Sequence, residues 1–314
     1  MMREILDECR RRRPQAVVLV DYPGFNLRFA QTLRRIPEHS RTPILYYVSP
    51  QVWAWHAARV PKIARLVDRM AVIFDFELPI YQSAGLPADF VGHPLLEVVR
   101  PTCGSAAFRR EFNLPDGAPL LALAPGSRLQ EVHRLFPLFL RTFALLKREF
   151  PDLKALVGCS PAVDIDVYAG IIEKEELNDR DLYLLQRRTY DVLAHCDVAL
   201  VASGTVTLET AILGTPLVMA YKVAPLTYFL GRWLVKIPNL ALVNVVAGKR
   251  VAPEFVQGNA QPRRLASELS AFLKNPDYRQ ETSRELARVR EKLGDPGASA
   301  RVAAILHAMI APEG

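Results

Sequence analysis

Apolar residues along this chain come in two patterns. Short aliphatic runs stand at 16–20, 43–48, 70–74 and 89–91, and again at 120–124, 153–157, 181–185, 198–202 and 217–221. Unbroken apolar runs of this length are expected of strands buried on both faces, as in parallel sheets. Between them, at 3–13, 27–36, 57–67, 130–149, 163–176 and 190–196, apolar positions recur at helical spacing. In the stretch 130–149 the stripe is Leu135, Leu138, Phe139, Thr142, Leu145 and Leu146. Strand and helix alternating with short turns predicts an α/β fold of doubly wound parallel sheets. Helices over 262–274, 277–293 and 298–310 close the chain.

The breakers Pro101, Gly104, Pro115, Gly117 and Pro119 cluster between the two groups of strands. They place a boundary near 98–101 and predict two Rossmann-like domains, over 1–99 and 100–293. A last segment, 294–314, is expected to pack back on the first domain. The rhythm breaks over 222–248, where Tyr228, Phe229, Leu230, Trp233, Leu234 and Val235 are interleaved with Arg232 and Lys236. That stretch reads either as a buried helix or as one that lies on a membrane or holds acyl chains.

Composition narrows the class. Lys plus Arg exceed Asp plus Glu by 40 − 33 = 7 among 314 residues, a basic excess that suits phosphate-bearing ligands, nucleic acid or an anionic membrane surface. No nucleic-acid motif accompanies it, and no nucleic-acid partner is expected. Cys9, Cys103, Cys159 and Cys196 show no paired spacing, and neither do the histidines, so no disulfide framework, metal or cofactor is expected. No apolar run reaches membrane-spanning length, and the opening residues do not form a secretory signal. These features suggest a cytoplasmic protein.

The turns after the strands carry the chemistry. Ser203-Gly204-Thr205 follows the run 198–202, with Glu209 one helical turn further on. Small residues there let a ligand approach the backbone, and a carboxylate on the same helix face suits a ribose. The same stretch also reads as an ordinary βαβ unit with a solvated Glu209. Gly126, Ser127 and Arg128 follow 120–124 and open a helix, a plausible diphosphate site without the Walker ending. Asp21 follows 16–20 on a turn fixed by Pro23 and Gly24, and reads as a general base, a helix cap or a turn former. Trp53 and Trp55 follow 43–48 and either stack on a sugar or brace their loop. His93, beside Gly92 and Pro94, reads as a hydrogen-bonded turn residue.

Together these pieces resemble lipid-A-disaccharide synthase, an inverting glycosyltransferase of GT-B architecture. They are Val20-Asp21-Tyr22-Pro23-Gly24-Phe25-Asn26, Tyr47-Val48-Ser49-Pro50-Gln51-Val52-Trp53-Ala54-Trp55, Phe90-Val91-Gly92-His93-Pro94, Leu123-Ala124-Pro125-Gly126-Ser127-Arg128, Ala202-Ser203-Gly204-Thr205 with Glu209, and Asn244 to Gly248. The resemblance implies transfer of 2,3-diacylglucosamine from UDP-2,3-diacylglucosamine to 2,3-diacylglucosamine 1-phosphate, giving a β-1,6 disaccharide 1-phosphate and UDP. It implies catalysis by Asp21, donor binding by Gly126, Ser127, Arg128, Ser203, Gly204, Thr205 and Glu209, and positioning of a sugar or phosphate by Asn244. It implies no metal, a peripheral place on the cytoplasmic face of the inner membrane, and compatibility with a homodimer. Family members open with a strand and a glycine-rich Gly-Glu-x-Ser-Gly-Asp loop. This chain shows neither, so its N-terminal domain is expected to be incomplete. A UDP-sugar-binding paralogue without turnover, or another GT-B enzyme acting on UDP-N-acetylglucosamine, are the alternatives. The second of these lacks the Val-Ser-Pro-Gln-Val-Trp-Ala-Trp string.

Overall fold

The computed structural model describes residues 1–54, 57–176, 179–223 and 239–311. Trp55 and the aromatic stretch 228–235 lie outside the described residues. The chain divides into two compact units. The first holds Met1–Glu97 and Lys292–Gly314, and the second lies between Val98 and Glu291.

The first unit is built on a parallel sheet of order β1-β2-β3-β4, with β1 at Val17–Val20, β2 at Ile44–Tyr47, β3 at Arg69–Val72 and β4 at Ala88–Phe90. Alternate residues of the central strands enter two different cores, as a pleated strand requires. Ile44, Tyr46, Met70 and Val72 join Leu6, Phe29, Leu33, Ile63 and Tyr81 on one face. Leu45 and Ala71 join Val91, Ala298 and Val302 on the other. The helix Ala298–Ile310 thus supplies the cover for the second face, which is why β2 and β3 read as unbroken apolar runs. Arg301 of that helix donates to the carbonyl of Val91 at 2.8 Å, and the N–H of His93 donates to the carbonyl of Leu293 at 2.8 Å. Among the described residues β1 stands at the end of this sheet, with Val20 54% exposed.

The second unit has a six-stranded parallel sheet in the order β10-β9-β8-β5-β6-β7. The strands are β5 Leu120–Ala124, β6 Lys154–Cys159, β7 Leu182–Gln186, β8 Val198–Ala202, β9 Leu217–Tyr221 and β10 Glu254–Val256. Counted within the unit this is 3-2-1-4-5-6, the order of dinucleotide-binding sheets. Leu121 and Leu123 pack with Phe136, Phe139 and Phe143 of the helix Leu129–Glu149 and with Leu265, Leu269 and Phe272 of the helix Pro262–Lys274. Burial of each such side chain contributes roughly 1.5–3 kcal/mol. β10 has no counterpart in the apolar pattern, because it is three half-buried residues that include Glu254.

Candidate active site

In the second unit, strand order reverses between β5 and β8, which pair in register from Leu121–Val198 to Ala124–Val201. Ligands of open α/β sheets bind beyond the carboxyl ends of the strands at such a reversal. Here those two ends lead directly into Pro125-Gly126-Ser127-Arg128 and Ser203-Gly204-Thr205. The fold therefore brings together two turns that are almost eighty positions apart in sequence. Gly126 has φ +125° and Gly204 φ +128°, angles that exclude other residues in practice. A Cβ added to Gly204 would meet nothing within 4 Å, so the space over this turn is open.

The Gly126 turn is closed instead by Glu131, whose carboxylate accepts from the N–H of Ser127 at 3.0 Å and of Arg128 at 3.4 Å. This carboxylate three residues into the helix caps its free N–H groups. Arg128 also donates to Glu131 at 3.3 Å but keeps its side chain 82% exposed. The loop is fastened from β6 as well, since the Ser160 hydroxyl donates to the Ser127 carbonyl at 3.1 Å. On the other turn, burial pushes the Glu209 carboxyl up from its ordinary range, opposed by a hydrogen bond from Thr205. Burial and then the Glu209 charge raise the Tyr190 phenol, which brings Tyr190 into the same neighbourhood.

Asn244 is fully buried, and its amide is committed within the unit. Its Nδ2 donates to the Ala252 carbonyl at 2.8 Å and to Glu254 at 2.7 Å, and its Oδ1 accepts from the N–H groups of Val251 and Ala252. Glu254 further accepts from the N–H groups of Leu240 and Ala241. The helix that carries Asn244, Leu242–Ala247, is tied to the Ser203–Thr205 turn through Thr207, which accepts from the Val243 N–H at 3.4 Å.

In the first unit the carboxyl ends of β1 and β2 hold strained backbone. Asp21 has φ +46°, Tyr22 +39° and Val48 +62°. For β-branched Val48 this is a genuine outlier. Asp21 is held by its main chain: its N–H donates to the Tyr47 carbonyl at 2.9 Å, and its carbonyl accepts from Tyr46 at 2.6 Å and Asn26 at 2.7 Å. Its side chain stays exposed. Trp53 braces its loop, with its indole N–H on Glu77 at 3.1 Å and its ring edge-on to Phe76. His93 is a turn residue, with Nδ1 accepting from the Leu95 N–H at 3.1 Å. Burial pushes its imidazole down to about 4, so it is neutral at pH 7.

Cys103, Asp191 and His195 place one ligand atom each within 4.8 Å of one another, a grouping that their spacing does not suggest. Their polar atoms are committed. Asp191 accepts from Thr102 N–H at 2.7 Å and from Arg188 at 2.7 Å, and the His195 Nε2 lies 2.8 Å from the Cys103 carbonyl. A metal ion there would compete with the Arg188 guanidinium.

Residues 1–309 match the family described as Lipid-A-disaccharide synthetase. The chain belongs to this family. It is 43% identical over 297 residues to the lipid-A-disaccharide synthase of Geobacter sulfurreducens, covering 95% of this chain and 76% of that protein. It is 44% identical over 298 residues to that of Syntrophus aciditrophicus, with the same coverage of 95% and 76%. Among solved structures, it is similar to UDP-GlcNAc 2-epimerase of Neisseria meningitidis, with a TM-score of 0.64 at 12% identity over 98% of this chain and 80% of that one. It is also similar to MurG of Acinetobacter baumannii, with a TM-score of 0.57 at 14% identity over 98% and 77%. At these identities the structural likeness shows the fold, two parallel-sheet α/β domains of the GT-B class. Family membership makes the chain a glycosyltransferase of lipid A biosynthesis.

Sequence reasoning missed Glu131, Ser160, Tyr190 and Glu77. Glu131 carried a usable signal, an acid three residues beyond the start of a helix. Ser160 directly follows β6 and was open to the same strand-end argument as Ser127. Nothing local marks Tyr190 or Glu77.

Proposed function

We propose that this chain transfers 2,3-diacylglucosamine from UDP-2,3-diacylglucosamine to 2,3-diacylglucosamine 1-phosphate, with inversion at the anomeric carbon and without a metal ion. The observation that carries the reading is the pair of glycine turns at the strand reversal of the second unit, one on each side. UDP-GlcNAc is bound by the Neisseria epimerase that shares this fold. A UDP group at the reversal has its diphosphate against the Gly126, Ser127 and Arg128 turn and the Ser203, Gly204 and Thr205 turn. Its ribose hydroxyls donate to Glu209.

As the glycosidic bond to UDP breaks, negative charge grows on the diphosphate. Arg128 and the backbone N–H groups of the two turns stabilise it. For this the Glu131 carboxylate yields the N–H groups of Ser127 and Arg128 to the incoming phosphate. Asp21 removes the proton from the acceptor 6-hydroxyl as that oxygen attacks from the face opposite UDP, so a single displacement inverts the centre. Its exposed carboxylate on a backbone fixed by Tyr46, Tyr47 and Asn26 suits a base that must meet an incoming hydroxyl. Asn244 acts by holding its helix beside the Ser203–Thr205 turn. The acylated substrates reside in lipid, so we place the enzyme peripherally on the cytoplasmic face of the inner membrane; no described helix is long and apolar enough to cross one.

Purified protein mixed with donor and acceptor in detergent tests the reading. UDP release that requires the acceptor and survives EDTA is the expected result. UDP binding without any release would overturn the transfer reading. Activity lost to EDTA and restored by Mg²⁺ would overturn the metal-free one.

A further inference from the structure

Glu77 is the one acidic side chain fully buried in the first unit among the described residues, 1% exposed in the turn after β3. Among the described residues no salt bridge reaches it. Its Oε1 accepts from the Ser49 hydroxyl at 2.6 Å and from the Trp53 indole N–H at 3.1 Å. Its Oε2 accepts from the Phe74 N–H at 3.3 Å. A buried carboxylate without a counter-ion is costly unless its bonds do something that an apolar residue would not.

Those bonds pin both ends of the segment Ser49–Trp53. That segment leaves β2 through Val48, whose φ of +62° is unfavourable for a β-branched residue and persists only where neighbours enforce it. Tyr81, on the helix after Glu77, adds a third tie by donating to the Pro50 carbonyl at 3.2 Å. One residue before Val48, the Tyr47 carbonyl accepts the Asp21 N–H at 2.9 Å. A continuous line of contacts therefore runs from Glu77 through Ser49 and the strained Val48 to the backbone of Asp21.

We propose that Glu77 is a positioning residue for the transfer step, fixing the Ser49–Trp53 segment and, through the end of β2, the backbone from which Asp21 projects. The proposal rests on the reading of Asp21 as the base. Burial pushes the Glu77 carboxyl up to about 7, opposed by its hydrogen bonds, first that from Ser49. Among the described residues the titratable groups facing it are Tyr81 and, across the Phe74 ring, His93, whose ring is tilted against Phe74 at 5.3 Å between centroids. Both keep one protonation state near neutrality, because Tyr81 is raised by burial and His93 is lowered to about 4. Protonation of Glu77 turns one of its oxygens from an acceptor into a donor, so the hydrogen bonds from Ser49 and Trp53 rearrange as pH falls through neutrality.

Two measurements test this on the full chain. In the first, tryptophan emission is followed from about pH 5 to 9 in the wild type, Glu77→Gln and Trp53→Phe. A transition near 7 in the wild type that is absent from both variants is expected. Persistence of the transition in Glu77→Gln overturns the proposal. In the second, Glu77→Ala, verified as folded by circular dichroism, is expected to lose about 10–100-fold in kcat, as misplacement of a reacting group does. The donor KM is expected to stay within about twofold, and Glu77→Gln to keep part of the rate with a flattened acid limb. An unchanged kcat in folded Glu77→Ala overturns the proposal. Failure of the wild type itself to release UDP would instead overturn the transfer reading, while the emission titration still decides whether Glu77 holds the segment.

Discussion

Replacing Gly204 by alanine separates a ligand contact from a folding requirement. At φ +128° an alanine is strained by of order 1–3 kcal/mol. In a unit of this size each kcal/mol lowers the melting temperature by about 2–4 °C, so a fall of roughly 2–12 °C is expected. The new methyl meets no atom of the protein within 4 Å. Any loss of UDP affinity, measured by calorimetry well below the variant's melting temperature, therefore reports the methyl against the ligand. Overpacking of about 1–3 kcal/mol corresponds to a Kd about 5–150-fold weaker. Gly126→Ala is the control. Its Cβ would stand 2.5 Å from the Glu131 Cβ and 2.6 Å from its Oε2, so Glu131 must leave the Ser127 and Arg128 N–H groups. That adds about 1 kcal/mol of lost capping and a larger fall in melting temperature. If Gly204→Ala bound UDP as tightly as the wild type, the Ser203–Thr205 turn would not lie against the ligand, and the assignment of the donor site would fail.

Asp21→Asn is expected to abolish turnover while leaving UDP affinity nearly unchanged; parallel loss of both, by UDP-release assay and calorimetry, would count against a base at this position. Arg128→Ala is expected to weaken UDP by about tenfold, at the low end for a charge-assisted bond because the side chain is 82% exposed, and to leave uridine affinity alone. Equal weakening of the two ligands would argue against a diphosphate contact. Two buried groups give the first unit opposed pH dependences. His93 is lowered from 6.5 to about 4, so the stability tied to its neutral form is present above 6.5 and is lost as pH falls through 4. Glu77 is raised from 4.5 to about 7, so its contribution is present below 4.5 and is lost as pH rises through 7. Each is worth about 3 kcal/mol, and in the wild type the slopes offset one another between 4.5 and 6.5. Glu77→Gln removes one of them, so its melting temperature should fall steadily as pH is lowered from 6.5 to 4.5. A flat profile by scanning fluorimetry would mean that His93 is not held neutral.

Much of this fold is legible because the core strands are parallel and doubly covered. Val198–Ala202 and Leu120–Ala124 are fully buried and read as unbroken apolar runs. The helix expected over 27–36 begins earlier in the structure, because Pro23 opens it at N1 directly after a left-handed Tyr22. β10 was invisible because its Glu254 faces the N–H groups of Leu240 and Ala241 and not an apolar core. The turn residues of the donor site were legible because they lie at strand ends. What they do to one another was not. That Glu131 occupies the N–H groups of the Gly126 turn, or that Ser160 fastens it, depends on side-chain directions that spacing alone does not carry. Asn244 shows the same gap: its place is readable, but the four hydrogen bonds that commit it inward are not.

The least legible feature is also the one that ties the first unit's backbone to its chemistry. Asp21, Tyr22 and Val48 all take positive φ, and none of them is glycine. A sequence reader expects glycine or asparagine at such positions, so these residues look like ordinary strand continuations. Their strain is of order 1–3 kcal/mol each and must be offset by neighbours. The offsetting contacts are the hydrogen bonds on the Asp21 main chain and the Glu77 ties on Ser49 and Trp53. Glycine at either strand end would remove the strain and would also remove the carboxylate at 21 or free the backbone at 48. Keeping side chains at these angles makes sense where direction matters more than stability. On this argument Val48→Gly should melt no lower than the cost of its lost side chain, yet turn over more slowly, because the strand end that grips the Asp21 N–H gains freedom.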